Sequence, residues 1–305
     1  MSAVDMRVEL GPLKLHNPIV TASGTFGYGT EFSPFFDLSR LGGLVVKGLS
    51  LQPRRGNEPP RICETPAGML NAIGLQNVGV DAFLADKLPA LLPFETAVLA
   101  NVYGERMEDY AEVCRRLDGA TGLAGVELNV SCPNTASGGM QFGVDPATLE
   151  RLVRQVRDAT RLPLIVKLSP NVTDITEPAR AAVAGGADIL SLVNTFTGMG
   201  IDAETRRPVL RNVVGGLSGP AIKPLALYMV HRVAAAVDVP IMGMGGIMSA
   251  VDAVEFFMAG ASAVQVGTAN FVNPTTAADL VQDLAGWCSA HEVTRISDLV
   301  GTLQV

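Results

Sequence analysis

Eight short apolar runs rich in branched residues recur along the chain, at 18–22, 44–47, 97–101, 126–130, 164–168, 189–193, 241–244 and 263–266. Near-continuous apolar strands are what a sheet buried on both faces requires; a half-solvated sheet would alternate apolar with polar positions. Between most of the runs lie segments of 3.6-residue periodicity, clearest at 106–117, 146–158, 175–184, 221–237, 249–258 and 276–289. Strand–helix alternation of this kind makes parallel crossovers. Eight such units in about 290 residues predict a closed (β/α)8 TIM barrel rather than an open sheet. Val8-Glu9-Leu10 and Leu13-Lys14-Leu15 flank Gly11-Pro12 and predict a β-hairpin ahead of the first barrel strand. Gly186-Ala187-Asp188 and Gly260-Ala261-Ser262 read as junctions where a helix stops and a strand starts. No domain boundary or low-complexity tract interrupts the pattern, so residues 1–305 are expected to form a single domain.

Two connections, 48–78 and 194–219, are too long for simple turns. Long loops in compact domains are usually functional or disordered. Both follow strands, which places them over the C-terminal face, where such barrels build their sites.

Composition narrows the function classes. Apolar residues make up 48% of the chain, ample for one large core, while 17% charged and 5% aromatic residues argue against a coiled coil. A formal net charge of −7 argues against nucleic acid or an anionic membrane as main partner. The cysteines at 63, 114, 132 and 288 form no C-x-x-C pair, so no zinc or iron–sulfur site is expected from this chain alone, and no metal. No apolar run reaches the length of a membrane span. The opening residues, from Met1 to Arg7, lack the apolar stretch of a targeting segment, which fits a reducing cytoplasm.

The residues closing each strand carry the candidate chemistry. In order they are Ser23-Gly24, Lys47-Gly48, Asn101, Asn129 with Cys132, Lys167, Asn194-Thr195, Gly245-Gly246 and Gly267-Thr268. Any one of them could be a turn residue. A polar or glycine terminus on every strand is instead what a ring of ligand contacts requires. The last two strands end in Gly243-Met244-Gly245-Gly246 and Val266-Gly267-Thr268, where small residues let backbone N–H groups approach an anion. Barrel phosphate sites are commonly built from these two loops. Neither a Rossmann fingerprint nor a Walker motif occurs.

Lys47 and Lys167 interrupt apolar runs, and a buried lysine needs a partner. Three roles are open: an ion pair with a barrel carboxylate such as Glu127, contact with a carboxylate ligand or electron-rich ring, and, for Lys167, a Schiff base. Asn71, Asn129, Asn134 and Asn194 would bring four amides to one face, each offering a donor and an acceptor. A ring with alternating C=O and N–H groups, such as a pyrimidine, is their complement; Asx turns are the plainer alternative. Cys132 falls where a strand meets a Gly-rich loop, and Pro133 holds it out of helix. It is either a small core residue or a reactive thiol between two amides. The three histidines, His16, His231 and His291, lie away from strand ends.

These motifs resemble those of the dihydroorotate dehydrogenases from about Val8 onward. They are Thr21-Ala-Ser-Gly-Thr-Phe-Gly, Asn71-Ala-Ile-Gly-Leu-Gln-Asn, Asn129-Val-Ser-Cys-Pro-Asn, Val166-Lys-Leu-Ser-Pro, Gly215-Gly-Leu-Ser-Gly-Pro-Ala and Gly243-Met-Gly-Gly-Ile. Glu64-Thr-Pro-Ala-Gly-Met-Leu-Asn and the spacing Gly138-Gly139…Phe142-Gly143 are similar to the cytosolic, NAD-linked class 1B branch. The membrane-bound branch has serine at the base position and an N-terminal extension, and this chain is expected to have neither.

The resemblance implies FMN held by Ser23, Lys47, Gly48, Asn101, Asn129, Lys167, Val193, Gly219, Gly245, Gly246, Gly267 and Thr268. It implies dihydroorotate or orotate bound by Lys47, Asn71, Ala72, Ile73, Gly74, Leu75, Asn129, Asn134, Asn194 and Thr195. Cys132 would be the general base and Lys167 the stabiliser of the reduced ring. A homodimer of the chain is implied, joined by an electron-transfer subunit that carries FAD and a [2Fe–2S] cluster, as a heterotetramer that reduces NAD⁺. A fumarate-linked branch, a dihydropyrimidine dehydrogenase-like flavoenzyme, a Schiff-base lyase using Lys167 and a non-catalytic phosphate-ligand binder are the alternatives.

Overall fold

A computed structural model describes residues 4–131 and 142–304. Cys132 and Asn134 therefore lie outside the described residues. The barrel strands are β1 (Ile19–Thr21), β2 (Gly43–Val45), β3 (Ala97–Val102), β4 (Leu123–Asn129), β5 (Leu164–Lys167), β6 (Ile189–Leu192), β7 (Ile241–Met244) and β8 (Ala263–Val266). Every neighbouring pair is parallel, and β8 closes on β1 through Val264 opposite Ile19. All residues of β1, β2 and β5 to β8 are buried, as a sheet walled by helices outside and by its own side chains inside requires.

Six helices follow the predicted periodicity: α1 (Met107–Leu117), α2 (Pro146–Arg157), α3 (Thr176–Ala184), α4 (Lys223–Ala234), α5 (Ala250–Met258) and α6 (Thr276–Ala290). Their starts are written locally. Asp145 accepts from the Thr148 N–H while Pro146 opens α2, and Ser249 with Asp252 forms a reciprocal capping box on α5. The first crossover departs from the repeat. Between β1 and β2 there are only 3₁₀ turns at Thr30–Phe32 and Leu38–Arg40. The expected hairpin is present, pairing Val8–Leu10 with Leu13–Leu15 around Gly11 in left-handed backbone. Its tip lies beside the Asp188 carbonyl, just before β6, so it closes the N-terminal end of the barrel.

The two long connections are neither plain loops nor disordered. Strands Phe196–Met199, Val214–Ser218, Gly68–Asn71 and Ile62–Thr65 form one antiparallel four-stranded sheet in that order. This cap sheet has a small core of its own in Leu70, Ala72 and Leu210. The register sets Asn71 opposite Gly216. A Cβ at Gly216 would stand 2.0 Å from Thr195 Oγ1, so only glycine lets this strand pass over the β6 loop.

Candidate active site

A cavity of about 330 Å³ opens between the C-terminal ends of the barrel strands and the cap sheet. Ser23, Lys47, Gly48, Asn101, Asn129, Lys167, Val193, Gly219, Gly245, Gly246, Gly267 and Thr268 all line it. So do Asn71, Ile73, Gly74, Leu75, Asn194 and Thr195, whereas Ala72 is buried in the cap-sheet core instead. Cys132 follows directly on Ser131, itself a wall residue. No aspartate or glutamate is among the lining residues.

The lysines differ from one expectation. Glu127 is fully buried, but its carboxylate takes hydrogen bonds from Asn101, Ser191 and Gln265 rather than an ammonium group. Lys167 is 5% exposed, and its Nζ donates to Ser23 Oγ at 3.3 Å. Among the described residues neither Lys167 nor Lys47 has a carboxylate partner, so the ion-pair alternative does not hold. Burial, with the Arg61 charge nearby, pulls the Lys47 ammonium below the ordinary lysine range, against a smaller opposing pull from Glu31. Two cations in a wall without acids make the cavity a receptor for anionic or electron-rich groups.

Three of the four amides, Asn71, Asn129 and Asn194, line the cavity; Asn134 is outside the described residues. Asn129 Oδ1 accepts from Asn194 Nδ2 at 3.2 Å, and the same Nδ2 donates to Ser131 Oγ at 2.7 Å. Asn194 Oδ1 accepts from the Thr195 N–H at 2.8 Å, and Asn71 Nδ2 reaches the Gly216 carbonyl at 3.3 Å. These bonds fix the orientations of three side chains that share one wall.

On another part of the wall three loops meet. Gly219, Gly245 and Gly246 have φ of 95°, 131° and 78°, backbone that favours glycine. A Cβ on Gly246 would come within 2.9 Å of the Gly219 carbonyl and 2.8 Å of Lys223 Cβ. Thr268 Oγ1 donates to Ser218 Oγ at 2.7 Å and ties the β8 end to the cap sheet. Lys223 Nζ is engaged with Asp252 and Glu255, leaving backbone groups to face an anion. The cradle thus suits a phosphate and the lysine-bearing wall suits a polar ring, so the donor set fits FMN.

Sequence reasoning passed over several wall residues. Asn171 donates to the Thr195 carbonyl at 3.1 Å and accepts from the Thr197 N–H at 2.9 Å, pinning the first cap strand. Its position just beyond β5, in Ser169-Pro170-Asn171, was a usable signal. Gln265, Ser218, Thr197 and Asn212 also line the cavity. Among the described residues no cluster of acids, cysteines and histidines is arranged to hold a metal, and no helix is long and apolar enough to cross a membrane.

Comparison with known proteins bears on what this cavity holds. The family model described as dihydroorotate dehydrogenase matches residues 6–287. The chain belongs to the dihydroorotate dehydrogenase family. Such membership makes it an oxidoreductase acting on dihydroorotate. Similar relatives carry the name dihydroorotate dehydrogenase B (NAD(+)), catalytic subunit. The one from Pelobacter propionicus is 57% identical over 300 residues, covering 98% of this chain and 99% of that protein. The one from Trichlorobacter lovleyi is 58% identical over 98% of both chains, and that from Citrifermentans bemidjiense 54% identical over the full length of both. For a dihydroorotate dehydrogenase, a wall that combines a glycine cradle, two lysines and three amides is chemically coherent.

Proposed function

We propose that the chain oxidises dihydroorotate to orotate in pyrimidine biosynthesis with bound FMN, as the catalytic subunit of an NAD⁺-linked enzyme in the cytoplasm. The observation that carries this reading is that, among the described residues, the wall holds two lysines without a carboxylate partner and three oriented amides, and no acidic side chain. Gly219, Gly245, Gly246, Gly267 and Thr268 would hold the FMN phosphate. Ser23, Gly48, Asn101, Asn129, Lys167 and Val193 would surround its ring. Bound FMN supplies the hydride acceptor for carbon 6 of the substrate. Cys132 Sγ takes the proton from carbon 5, so the ring loses one proton and one hydride and gains a double bond. Lys47 meets the substrate carboxylate, while Asn71, Asn129, Asn134 and Asn194 hold the ring's carbonyl and N–H groups, with 72–75 and Thr195 beside them. Lys167 would stabilise the negative charge that the reduced ring gains. The relatives' names include the words catalytic subunit and NAD(+), which supports a separate partner subunit; the FAD and [2Fe–2S] cluster we assign to it come from the family resemblance. A homodimer of this chain with two such partners is the assembly we infer.

The test is an anaerobic titration. Purified full-length chain is expected to be yellow and to bleach with one equivalent of dihydroorotate, and to reduce NAD⁺ only slowly without its partner. A colourless chain that takes up no FMN would overturn the reading.

Lys47 gives the proposal a pH signature. Its ammonium is already pulled below the ordinary value of roughly 10.4. A bound carboxylate favours the charged form and raises the pKa back. Between the free and bound values, orotate binding therefore takes up a proton, and affinity falls as pH rises through that window. Calorimetry in two buffers of unlike ionisation enthalpy should register the uptake, and Lys47→Met should abolish it.

A further inference from the structure

The interior of a TM barrel is usually filled by layers of bulky apolar side chains. Here the layer beneath the cavity is polar. Glu127 on β4, Ser191 on β6 and Gln265 on β8 meet there, each at most 1% exposed. Strands β4 and β8 are not neighbours, so the 2.7 Å bond from Gln265 Nε2 to Glu127 Oε2 crosses the barrel. Ser191 Oγ donates to the same oxygen at 2.9 Å, and Asn101 Nδ2 donates to Glu127 Oε1 at 2.7 Å. No cation joins the group among the described residues. A buried carboxylate held only by neutral donors is costly, and apolar side chains of similar volume would serve stability as well or better.

Its chemistry suggests what it does. A carboxylate can only accept, so it dictates which end of each neighbouring amide faces it. Asn101 and Gln265 both line the cavity, and both turn their NH₂ groups down to Glu127. Asn101 Oδ1 then lies beside Gly48, another wall residue, close enough that a Cβ there would stand 2.9 Å away. It accepts no hydrogen bond among the described residues. The oxidised isoalloxazine ring has a single N–H donor, at N3.

We propose that Glu127 is a positioning residue for the flavin: an acceptor-only anchor that holds the Asn101 amide with its oxygen toward the cavity, where it accepts the ring's N3–H. This rests on the FMN reading above. Glu127 touches neither cofactor nor substrate and acts through Asn101.

The test compares FMN with N3-methyl FMN, binding each to the deflavinated full chain and following fluorescence quenching. The wild type should bind the methylated flavin about tenfold or more weakly, the cost of an unmet buried acceptor. Glu127→Met removes the anchor at similar length and should weaken FMN about tenfold while shrinking the preference for FMN to less than about threefold. In an Asn101→Ala background the same substitution should change neither Kd further. A purely structural role would lower the ligand-free melting temperature yet leave the ratio of the two Kd values unchanged, and that result overturns the proposal. Should Glu127→Met not fold, the isosteric Glu127→Gln gives the same ratio to read. Equal binding of both flavins by the wild type overturns this inference alone; failure to bind either overturns the FMN reading with it.

Discussion

Replacing Cys132 by alanine is expected to slow reduction of bound FMN by dihydroorotate by about 10²–10⁴-fold, the usual contribution of a positioned general base. Orotate should still bind, because the lysine and the amides that hold it are untouched. The assignment draws on the Asn129-Val-Ser-Cys-Pro-Asn resemblance and on what surrounds the segment. Ser131 is a buried wall residue held by Asn194, and the Gly143 N–H donates to the Val130 carbonyl at 3.0 Å, so the chain is fixed on both sides of 132–141. The other cysteines offer no rival. Burial pushes the Cys114 thiol up to about 12 and raises that of Cys288 as well, and Cys63 is on the cap sheet outside the cavity wall. A thiol base gives the reaction a pH profile: the rate should climb as the thiolate forms, from a reference pKa of roughly 8.5. Cys132→Ser should move that climb to higher pH, since a hydroxyl is the weaker acid. Stopped-flow flavin absorbance reads both variants, and near-normal reduction by Cys132→Ala would remove the thiol from the mechanism.

The barrel was legible because its signal is additive. Each of the runs at 164–168, 189–193, 241–244 and 263–266 is short, but buried strands leave the same apolar imprint every time, and the intervening helices carry their own period. The strand-end rule then found Lys47, Lys167 and the terminal glycines, since position on the barrel decides what faces the ligand. The cap sheet was not legible. Gly68–Asn71 and Val214–Ser218 are glycine-rich, partly exposed, and pair across some 145 residues of chain, so neither periodicity nor a local turn announces them. In the sequence Glu127 stands out only for its charge, as one of the alternative partners for the lysines. Its partners come from β3, β6 and β8, a convergence that only closure of the barrel creates. Gln265 left a trace in an otherwise apolar run, but a lone polar residue does not say which strand it will reach across to meet.

Lys167→Met is expected to separate function from stability by moving them in opposite directions. The side chain is 5% exposed, has only the Ser23 hydroxyl at 3.3 Å as partner, and faces no carboxylate among the described residues. Holding an unpaired ammonium there costs the ligand-free fold, so a methionine of similar length should leave its melting temperature unchanged or higher. Were FMN bound as proposed, that ammonium would supply fixed positive charge on the wall for a ring that gains electrons. Its removal should lower the flavin midpoint potential, because added negative charge is no longer offset. Reduction by dihydroorotate should slow by about 10²–10³-fold, as when a preorganised charge-stabilising donor is lost. Lys167→Arg should recover little, since a planar guanidinium cannot take the place of a compact ammonium in so closed a wall. A potential measured against a reference dye, alongside stopped-flow reduction, distinguishes this from the Schiff-base role. In that role the potential would not move, and lysine would be needed for a covalent adduct that borohydride traps. A variant with wild-type potential and reduction within about fivefold would place the charge elsewhere, with Lys47 the next candidate on the same wall.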